Sequence, residues 1–163
     1  AVAFECPYEG AVSEALVLDQ VARLMAHKPA RLVIADTIGA ANPAAVQSMM
    51  QKLIDRYGPE LLGCHFHDTR AMGLANVYAA VESGIRRFDS SIAGLGGCPF
   101  APGASGNVAT DDIAMMLQQM GFATGIDLNK LMQASDLAQA LTGTAPGGRS
   151  KPWLQGYLTK QAS

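Results

Sequence analysis

Short apolar runs alternate with helix-like segments along the first ninety residues. The runs fall at 1–4, 31–35, 61–66 and 87–89, and each has the length and composition of a β-strand. Between the runs, apolar residues recur every three or four positions, which is the spacing of a helix with one buried face. The alternation predicts βαβ units around a parallel sheet, and therefore an α/β fold.

Three helices are predicted between these strands. Ser13 is a suitable N-cap for the first helix, Pro43 fits the first turn of the second, and Gly58 and Gly84 end the second and third. The apolar positions predicted to face inward are Val17, Val21 and Leu24 in the first helix, Val46, Met50, Leu53 and Tyr57 in the second, and Leu74, Val77 and Val81 in the third.

A long glycine-rich loop, 93–107, follows the fourth predicted strand and precedes two more helices. Thr110 and Asp127 are the predicted N-caps of these helices. Their predicted inward residues are Ile113, Leu117 and Met120 in one, and Leu128, Leu131 and Leu141 in the other. We interpret residues 1–141 as one domain and residues 142–163 as a partly ordered tail, in which Trp153 and Leu154 are the residues suited to docking.

Composition and charge exclude two classes of partner. The 163 residues are 49% hydrophobic, yet no apolar run approaches the roughly 18 residues of a membrane-spanning helix. Twelve basic and 14 acidic residues give a formal charge of -2, without a basic stripe for nucleic acid. Three cysteines, an odd number without a C-x-x-C pair, indicate a reducing compartment. We expect a cytoplasmic bacterial protein, with the mitochondrial matrix as the alternative.

Two histidines at the end of the third predicted strand are candidate metal ligands. His65 and His67 are separated by one residue, so their side chains point to the same side of the strand. A single histidine there would more often be a structural residue, but two imidazoles so placed can share one metal ion.

A carboxylate occupies the equivalent place after the preceding strand. Asp36, in the sequence DTIG, is positioned to act as a base or to orient a metal ligand. From the tetrapeptide alone, a turn cap or helix cap is the favoured interpretation.

The glycine-rich loop offers two further candidates. Cys98 lies between glycine and proline, where a thiol with an adjusted pKa can donate or accept a proton. Asn107 can present an amide oxygen to a hard cation such as Mg²⁺ or Mn²⁺. The loop lacks both G-x-G-x-x-G and a Walker lysine, so we do not interpret it as a phosphate-binding loop.

Four segments together resemble the 3-hydroxy-3-methylglutaryl-CoA lyases. They are ECPYEG at 5–10, DTIG at 36–39, CHFHDT at 64–69 and FDSSIAGLGGCPFAPGASGNVATDD at 88–112. The resemblance covers about residues 1–141. It implies a (β/α)8 TIM barrel, to which this chain contributes the last four βα units and the C-terminal helices. It also implies an acyl-CoA thioester substrate, cleaved to acetyl-CoA and acetoacetate with the help of a divalent metal, Mg²⁺ or Mn²⁺.

The resemblance also implies roles for individual residues. His65, His67 and Asn107 would be metal ligands, Asp36 and His65 would be catalytic, and Cys98 would be the catalytic cysteine of a mobile loop. Asp111 occupies the place of an acidic residue near the metal, although an aspartate in the first turn of a helix also compensates the helix dipole.

Part of the family's site is not found in these residues. The family carries an Arg-Asp motif in its N-terminal half, and four βα units cannot close a barrel that takes about 250 residues. We therefore expect the 163 residues alone to be inactive or weakly active until the missing half-barrel is supplied, and we expect a homodimer.

Three alternatives stay open at this point. The first is a lyase for a longer or branched 3-hydroxy-3-alkylglutaryl-CoA. The second is a Claisen-type synthase, for which a different loop is expected. The third is an inactive half-barrel that assembles with another chain through exposed strand edges at 1–4 and 86–89.

Overall fold

The chain divides after residue 89. The computed structural model describes residues 2–96, 106–143 and 147–161. Contacts between these residues define a first unit within residues 1–89 and a second unit built from residues 90–96 and the chain after Gly106. Each unit is described by itself below.

The first unit begins with a hairpin and not with the strand predicted at 1–4. β1 (Glu5–Cys6) pairs antiparallel with β2 (Gly10–Ala11). Gly10 has a φ of +79°, and Pro7 has no N–H to give to a ladder, so this sequence favours a turn. Within residues 2–4, one backbone bond of the expected pairing forms, from Ala3 N to Ala35 O at 3.1 Å. Residues 2–4, the described part of the predicted strand, are therefore not a β-strand, and this part of the prediction is wrong.

Three parallel strands form the sheet of the first unit. β3 (Leu32–Ala35), β4 (Leu62–His65) and β5 (Phe88–Asp89) lie in that order, as the alternation of apolar runs predicts. In this register Ala35 is opposite His65, and His65 is opposite Asp89. The carboxyl ends of the three strands are therefore level, and the residues that follow them lie along one edge.

The helices of the first unit begin and end where local signals place them. They are α1 (Glu14–Met25), α2 (Pro43–Tyr57) and α3 (Gly73–Glu82). Ser13 Oγ accepts a hydrogen bond from Leu16 N at 3.3 Å, and Asn42 Oδ1 accepts one from Ala45 N at 3.0 Å. These caps satisfy amide groups that have no partner inside the helix.

Burial in the first unit follows the predicted faces with one correction. Leu24 is 52% exposed, whereas Met25, four residues after buried Val21, is half-buried in its place. The β3 strand has one buried face, since Ile34 is 4% exposed while its neighbour Val33 is 39% exposed.

Three helices make up most of the described part of the second unit. They are α4 (Thr110–Gln119), α5 (Leu128–Thr142) and α6 (Lys151–Gln161), preceded by a 3-10 turn at Ile92–Gly94. Asp127 caps α5 as predicted, accepting from Asn129 N at 2.8 Å and Lys130 N at 3.2 Å. Thr110 is not the N-cap of α4. That position falls to Ala109, and the Thr110 hydroxyl lies 2.8 Å from Ser90 Oγ instead.

The predicted tail contains the helix α6. Leu154 is 1% exposed and packs with Ala114, Leu131 and Met132, so its predicted docking is confirmed. Trp153 remains 53% exposed and stacks on Tyr157 with ring centroids 4.9 Å apart. Across the described residues, no helix combines the length and apolarity needed to cross a membrane.

Two inward positions predicted for the second unit are wrong. Met120 is 37% exposed because α4 ends at Gln119 and Met120 is only its C-cap. Leu141 is 77% exposed, since an offset of ten positions from buried Leu131 places it off the packed face in the last turn of α5.

Candidate metal centre

His65, the last residue of β4, and His67, two residues later, lie side by side, as the alternation of strand side chains predicts. The ring centroids of His65 and His67 are 5.1 Å apart and the rings are inclined at 74°. A ring nitrogen about 2 Å from a metal ion places its ring centre roughly 3 Å from that ion. Rings at this separation can therefore share one ion at an angle somewhat larger than a right angle.

A backbone carbonyl fixes the tautomer of His67. His67 Nδ1 lies 2.8 Å from Asp36 O, and His67 is 8% exposed. A carbonyl oxygen can only accept a hydrogen bond, so Nδ1 is the donor, and in the neutral ring Nε2 is then the nitrogen with the free lone pair. Metal-binding histidines are usually oriented by a second hydrogen bond of this kind.

The surroundings of His65 favour the neutral ring that a metal ligand requires. Burial lowers the pKa of His65, and the neighbouring His67 acts in the same direction, while Asp89 and Asp36 oppose it. His65 is half-buried and lies in register with Asp89 on β5. A proton therefore competes weakly with a metal ion for His65 at neutral pH.

Asp36 holds the turn that leads away from β3. Its carboxylate oxygens accept hydrogen bonds from Ala40 N at 2.9 Å and Ala41 N at 3.0 Å, and the residue is 1% exposed. This is the turn-cap role that the tetrapeptide favours. Burial raises the pKa of the Asp36 carboxyl group, although the two N–H groups act to lower it. A role for Asp36 as a base stays a prediction.

A glycine brings the loops after β3 and β4 into contact. Gly39 has a φ of +67°, and a Cβ at this position would lie 2.8 Å from both Thr69 Cβ and Thr69 N. The DTIG turn therefore lies directly against the loop that carries the histidines. Nearby, Arg70 of that loop pairs with Glu5 of the hairpin at 2.8 Å. Neither contact is apparent from the sequence, because both join residues distant along the chain.

We expect Gly39→Ala to lower the free energy of unfolding by about 2–5 kcal/mol, combining left-handed strain of about 1–2 kcal/mol with overpacking of about 1–3 kcal/mol. Denaturant titration measures the change. Gly125→Ala is the matched control, because Gly125 has a φ of +70° and a Cβ there meets nothing within 4 Å. Equal losses in the two variants would contradict a tight contact between Gly39 and Thr69.

In the second unit, Asn107 presents an unsatisfied amide oxygen. Asn107 Nδ2 donates to Leu95 O at 2.8 Å, which directs Oδ1 to the opposite side. Asn107 Oδ1 is buried and has no hydrogen-bond partner among the described residues. An unpaired buried acceptor costs about 1–3 kcal/mol. A hard cation, which prefers oxygen ligands, would satisfy it.

Glycines allow the two ends of the long loop to approach each other. A Cβ on Gly106 would overlap Gly94 O, and a Cβ on Gly96 would lie 2.8 Å from Asn107 Nδ2. Asp111, which is fully buried, accepts a hydrogen bond from Ala93 N at 2.8 Å, while its second oxygen has no partner in the part of the chain that is described. These contacts set the backbone on both sides of Asn107.

Cys98 lies in residues 97–105, outside the described residues. Of the other cysteines, Cys64 is 1% exposed, and burial raises the pKa of its thiol to about 12, so it is a packing residue. In the ranges 2–96, 106–143 and 147–161, no three His, Cys, Asp or Glu side chains are grouped to hold a metal. The described residues with features of metal ligands are thus the two imidazoles of the first unit and, separately in the second unit, the unsatisfied amide oxygen of Asn107.

Known proteins share both this sequence and this fold. The HMGL-like family matches residues 1–138. The hydroxymethylglutaryl-CoA lyase of Bacillus subtilis is 46% identical over 132 residues, covering 81% of this chain and 44% of that protein. The corresponding Pseudomonas mevalonii enzyme is 42% identical over 145 residues, covering 89% and 48%. The chain therefore spans about half the length of the relatives it matches.

A solved structure agrees with these relatives. An HMG-CoA lyase from Acinetobacter baumannii, in complex with coenzyme A and 3-methylmalate, superposes with a TM-score of 0.87 at 44% identity. The match covers 91% of this chain and 49% of that chain. The predicted α/β fold is confirmed, and the parallel β3–β4–β5 sheet with its connecting helices is part of a (β/α)8 barrel. This chain belongs to the HMGL-like family.

Proposed function

We propose that the protein containing this chain cleaves 3-hydroxy-3-methylglutaryl-CoA to acetyl-CoA and acetoacetate, and that the chain is the C-terminal half of its barrel. Relatives at 41–46% identity carry the name of this lyase, and a similar structure binds coenzyme A. The observation that carries the proposal is the orientation of the imidazole pair, in which the hydrogen bond from His67 Nδ1 to Asp36 O leaves Nε2 available to a metal.

The proposed metal site combines His65, His67 and Asn107. The neutral state of His65 and the buried, unpartnered Asn107 Oδ1 support this assignment. A divalent ion, Mg²⁺ or Mn²⁺, would lower the pKa of the substrate hydroxyl and hold the substrate in place. The remaining ligands would come from the half of the barrel that the relatives have in addition. The compartment and the homodimer stay predictions.

Asp36 is the base in this proposal. A ring nitrogen of His65 that binds metal cannot also accept a proton, whereas a carboxylate has about four acceptor sites. The N–H groups of Ala40 and Ala41 occupy two of those sites on Asp36. Burial raises the pKa of Asp36, which makes it a stronger base than an exposed aspartate.

The proposed reaction moves two protons, one from the substrate hydroxyl to Asp36 and one from Cys98 to the enolate. Asp36 takes the hydroxyl proton, the bond between C2 and C3 of the acyl group breaks, and the hydroxyl carbon becomes the ketone of acetoacetate. The bonding electrons move to the thioester as the enolate of acetyl-CoA, which Cys98 protonates at carbon.

An assay of the full-length protein tests this proposal. With Mg²⁺ or Mn²⁺ we expect stoichiometric acetyl-CoA and acetoacetate from 3-hydroxy-3-methylglutaryl-CoA, and loss of both products after chelation with EDTA. A 3-hydroxy-3-alkylglutaryl-CoA with a longer alkyl group is the matched comparison. Faster cleavage of the longer substrate would reassign the acyl specificity, and no cleavage of either substrate would overturn the proposal.

A further inference from the structure

A buried carboxylate anchors the C-terminal segment, residues 147–161, to the start of α4. Asp112 is 6% exposed and accepts three hydrogen bonds from this segment. They come from Arg149 N at 3.0 Å, Ser150 N at 2.7 Å and Ser150 Oγ at 2.5 Å. A buried carboxylate is costly unless it is satisfied in this way, so the segment and the first turn of α4 stabilise each other.

Gly148 brings the segment against both acidic residues of that turn. A Cβ on Gly148 would lie 2.6 Å from Asp112 Oδ1 and 2.8 Å from Asp111 Cβ. Only glycine permits so close an approach without displacing one of the partners. The segment therefore covers Asp111 as well as Asp112.

Two further contacts hold the rest of the segment in place. Lys151 is 4% exposed and pairs with Asp136 of α5 at 2.7 Å. Leu154 lies in the apolar core with Ala114 and Leu131. A buried lysine is rare unless it is paired. The ion pair and the apolar contact together fix the packing of α6 against α4 and α5.

Hydrogen bonds connect the first turn of α4 to the backbone that orients Asn107. Thr110 N donates a hydrogen bond to Ser91 O at 2.9 Å. Asp111 Oδ2 accepts one from Ala93 N, and Ala93 has an unfavourable φ of +59°. These bonds fix the backbone that leads to Leu95, and the carbonyl of Leu95 accepts a hydrogen bond from Asn107 Nδ2. The N-cap of α4, Ala109, provides no side-chain hydrogen bond. The turn therefore depends on other contacts for its order.

We infer that the C-terminal segment is a positioning element for Asn107, acting on the first turn of α4 through Asp111 and Asp112. This inference rests on the proposed function insofar as Asn107 is taken as a metal ligand. Without the segment, the turn loses three charge-assisted hydrogen bonds and the cover over Asp111. The backbone that presents Asn107 Oδ1 then samples more than one position.

Gly148→Ala in the full-length protein tests the inference. We expect amide hydrogen exchange at Ala93 and Thr110 to accelerate about tenfold or more, because local opening becomes easier. We also expect Mn²⁺ affinity to fall about ten- to hundredfold, as for other residues that orient metal ligands. Gly156→Ala is the matched control, since Gly156 lies in the same segment and a Cβ there meets nothing within 4 Å. That control should change neither quantity.

The two readouts separate this inference from the proposed function. Faster exchange confined to residues 148–151, with Ala93 unchanged, would overturn the positioning role. A wild-type protein that binds no Mn²⁺ would overturn the metal site, and exchange at Ala93 alone would then decide whether the segment holds the turn. If Gly148→Ala does not fold, Ser150→Ala removes only one hydrogen bond to Asp112 and should change exchange in the same direction by a smaller factor.

Discussion

Replacing His67 with alanine in the full-length protein should lower turnover of 3-hydroxy-3-methylglutaryl-CoA by about a thousandfold or more. The reason is that a metal ion contributes several kcal/mol of transition-state stabilisation, and each 1.4 kcal/mol corresponds to about tenfold in rate. His67 has its ring fixed by Asp36 O and its Nε2 directed away from that bond. Alanine removes this nitrogen, so Mn²⁺ binding should weaken together with turnover.

His27 supplies the control for this prediction. It is an exposed histidine beyond the end of α1, so His27→Ala changes the same residue type away from the site. The kinetic constants and Mn²⁺ affinity of the His27 variant should equal those of the wild type. Wild-type turnover in the His67 variant would contradict a metal role for this imidazole.

Replacing Cys98 with serine should leave Mn²⁺ binding intact while lowering kcat about 10²- to 10⁴-fold, the usual contribution of a general acid. A serine hydroxyl is a far weaker acid than a thiol, so protonation of the enolate would be slower and would depend on another acid. This prediction rests on the resemblance to the lyases and on the composition of the loop, because Cys98 lies outside the described residues.

Cys6→Ser is the appropriate comparison for the Cys98 variant. Cys6 is a free, half-buried cysteine in the hairpin, to which no catalytic role is assigned. The Cys6 variant should retain full activity. Unchanged kcat in the Cys98 variant would remove this cysteine from the proposed mechanism, and loss of Mn²⁺ binding would indicate a structural role instead.

Local signals predicted most of the fold. The strands β3, β4 and β5 and the N-caps Ser13 and Asp127 follow from composition and spacing within a few residues. The errors arise where distant contacts decide the structure. The helix α6 carries a weak apolar pattern, and its position depends on Asp112, which lies about 40 residues earlier in the sequence.

The candidate site was predictable to the level of residue types. Alternation along β4 places His65 and His67 together, and the structure agrees. The sequence does not reveal that Asp36 O selects the tautomer of His67, because this contact joins residues 31 positions apart. The sequence also does not reveal that a hydrogen bond to Leu95 O orients the side-chain amide of Asn107. Both features depend on where the backbone lies in three dimensions.

We propose that His65, His67 and Asn107 bind one divalent ion, and a crystal structure of the full-length protein with Mn²⁺ tests this proposal most directly. We predict that a ring nitrogen of His65, Nε2 of His67 and Oδ1 of Asn107 each lie about 2.0–2.3 Å from the same ion, the distance range of such ligands. A bound ion with Asn107 Oδ1 beyond about 4 Å, or with either imidazole turned away, would contradict the account.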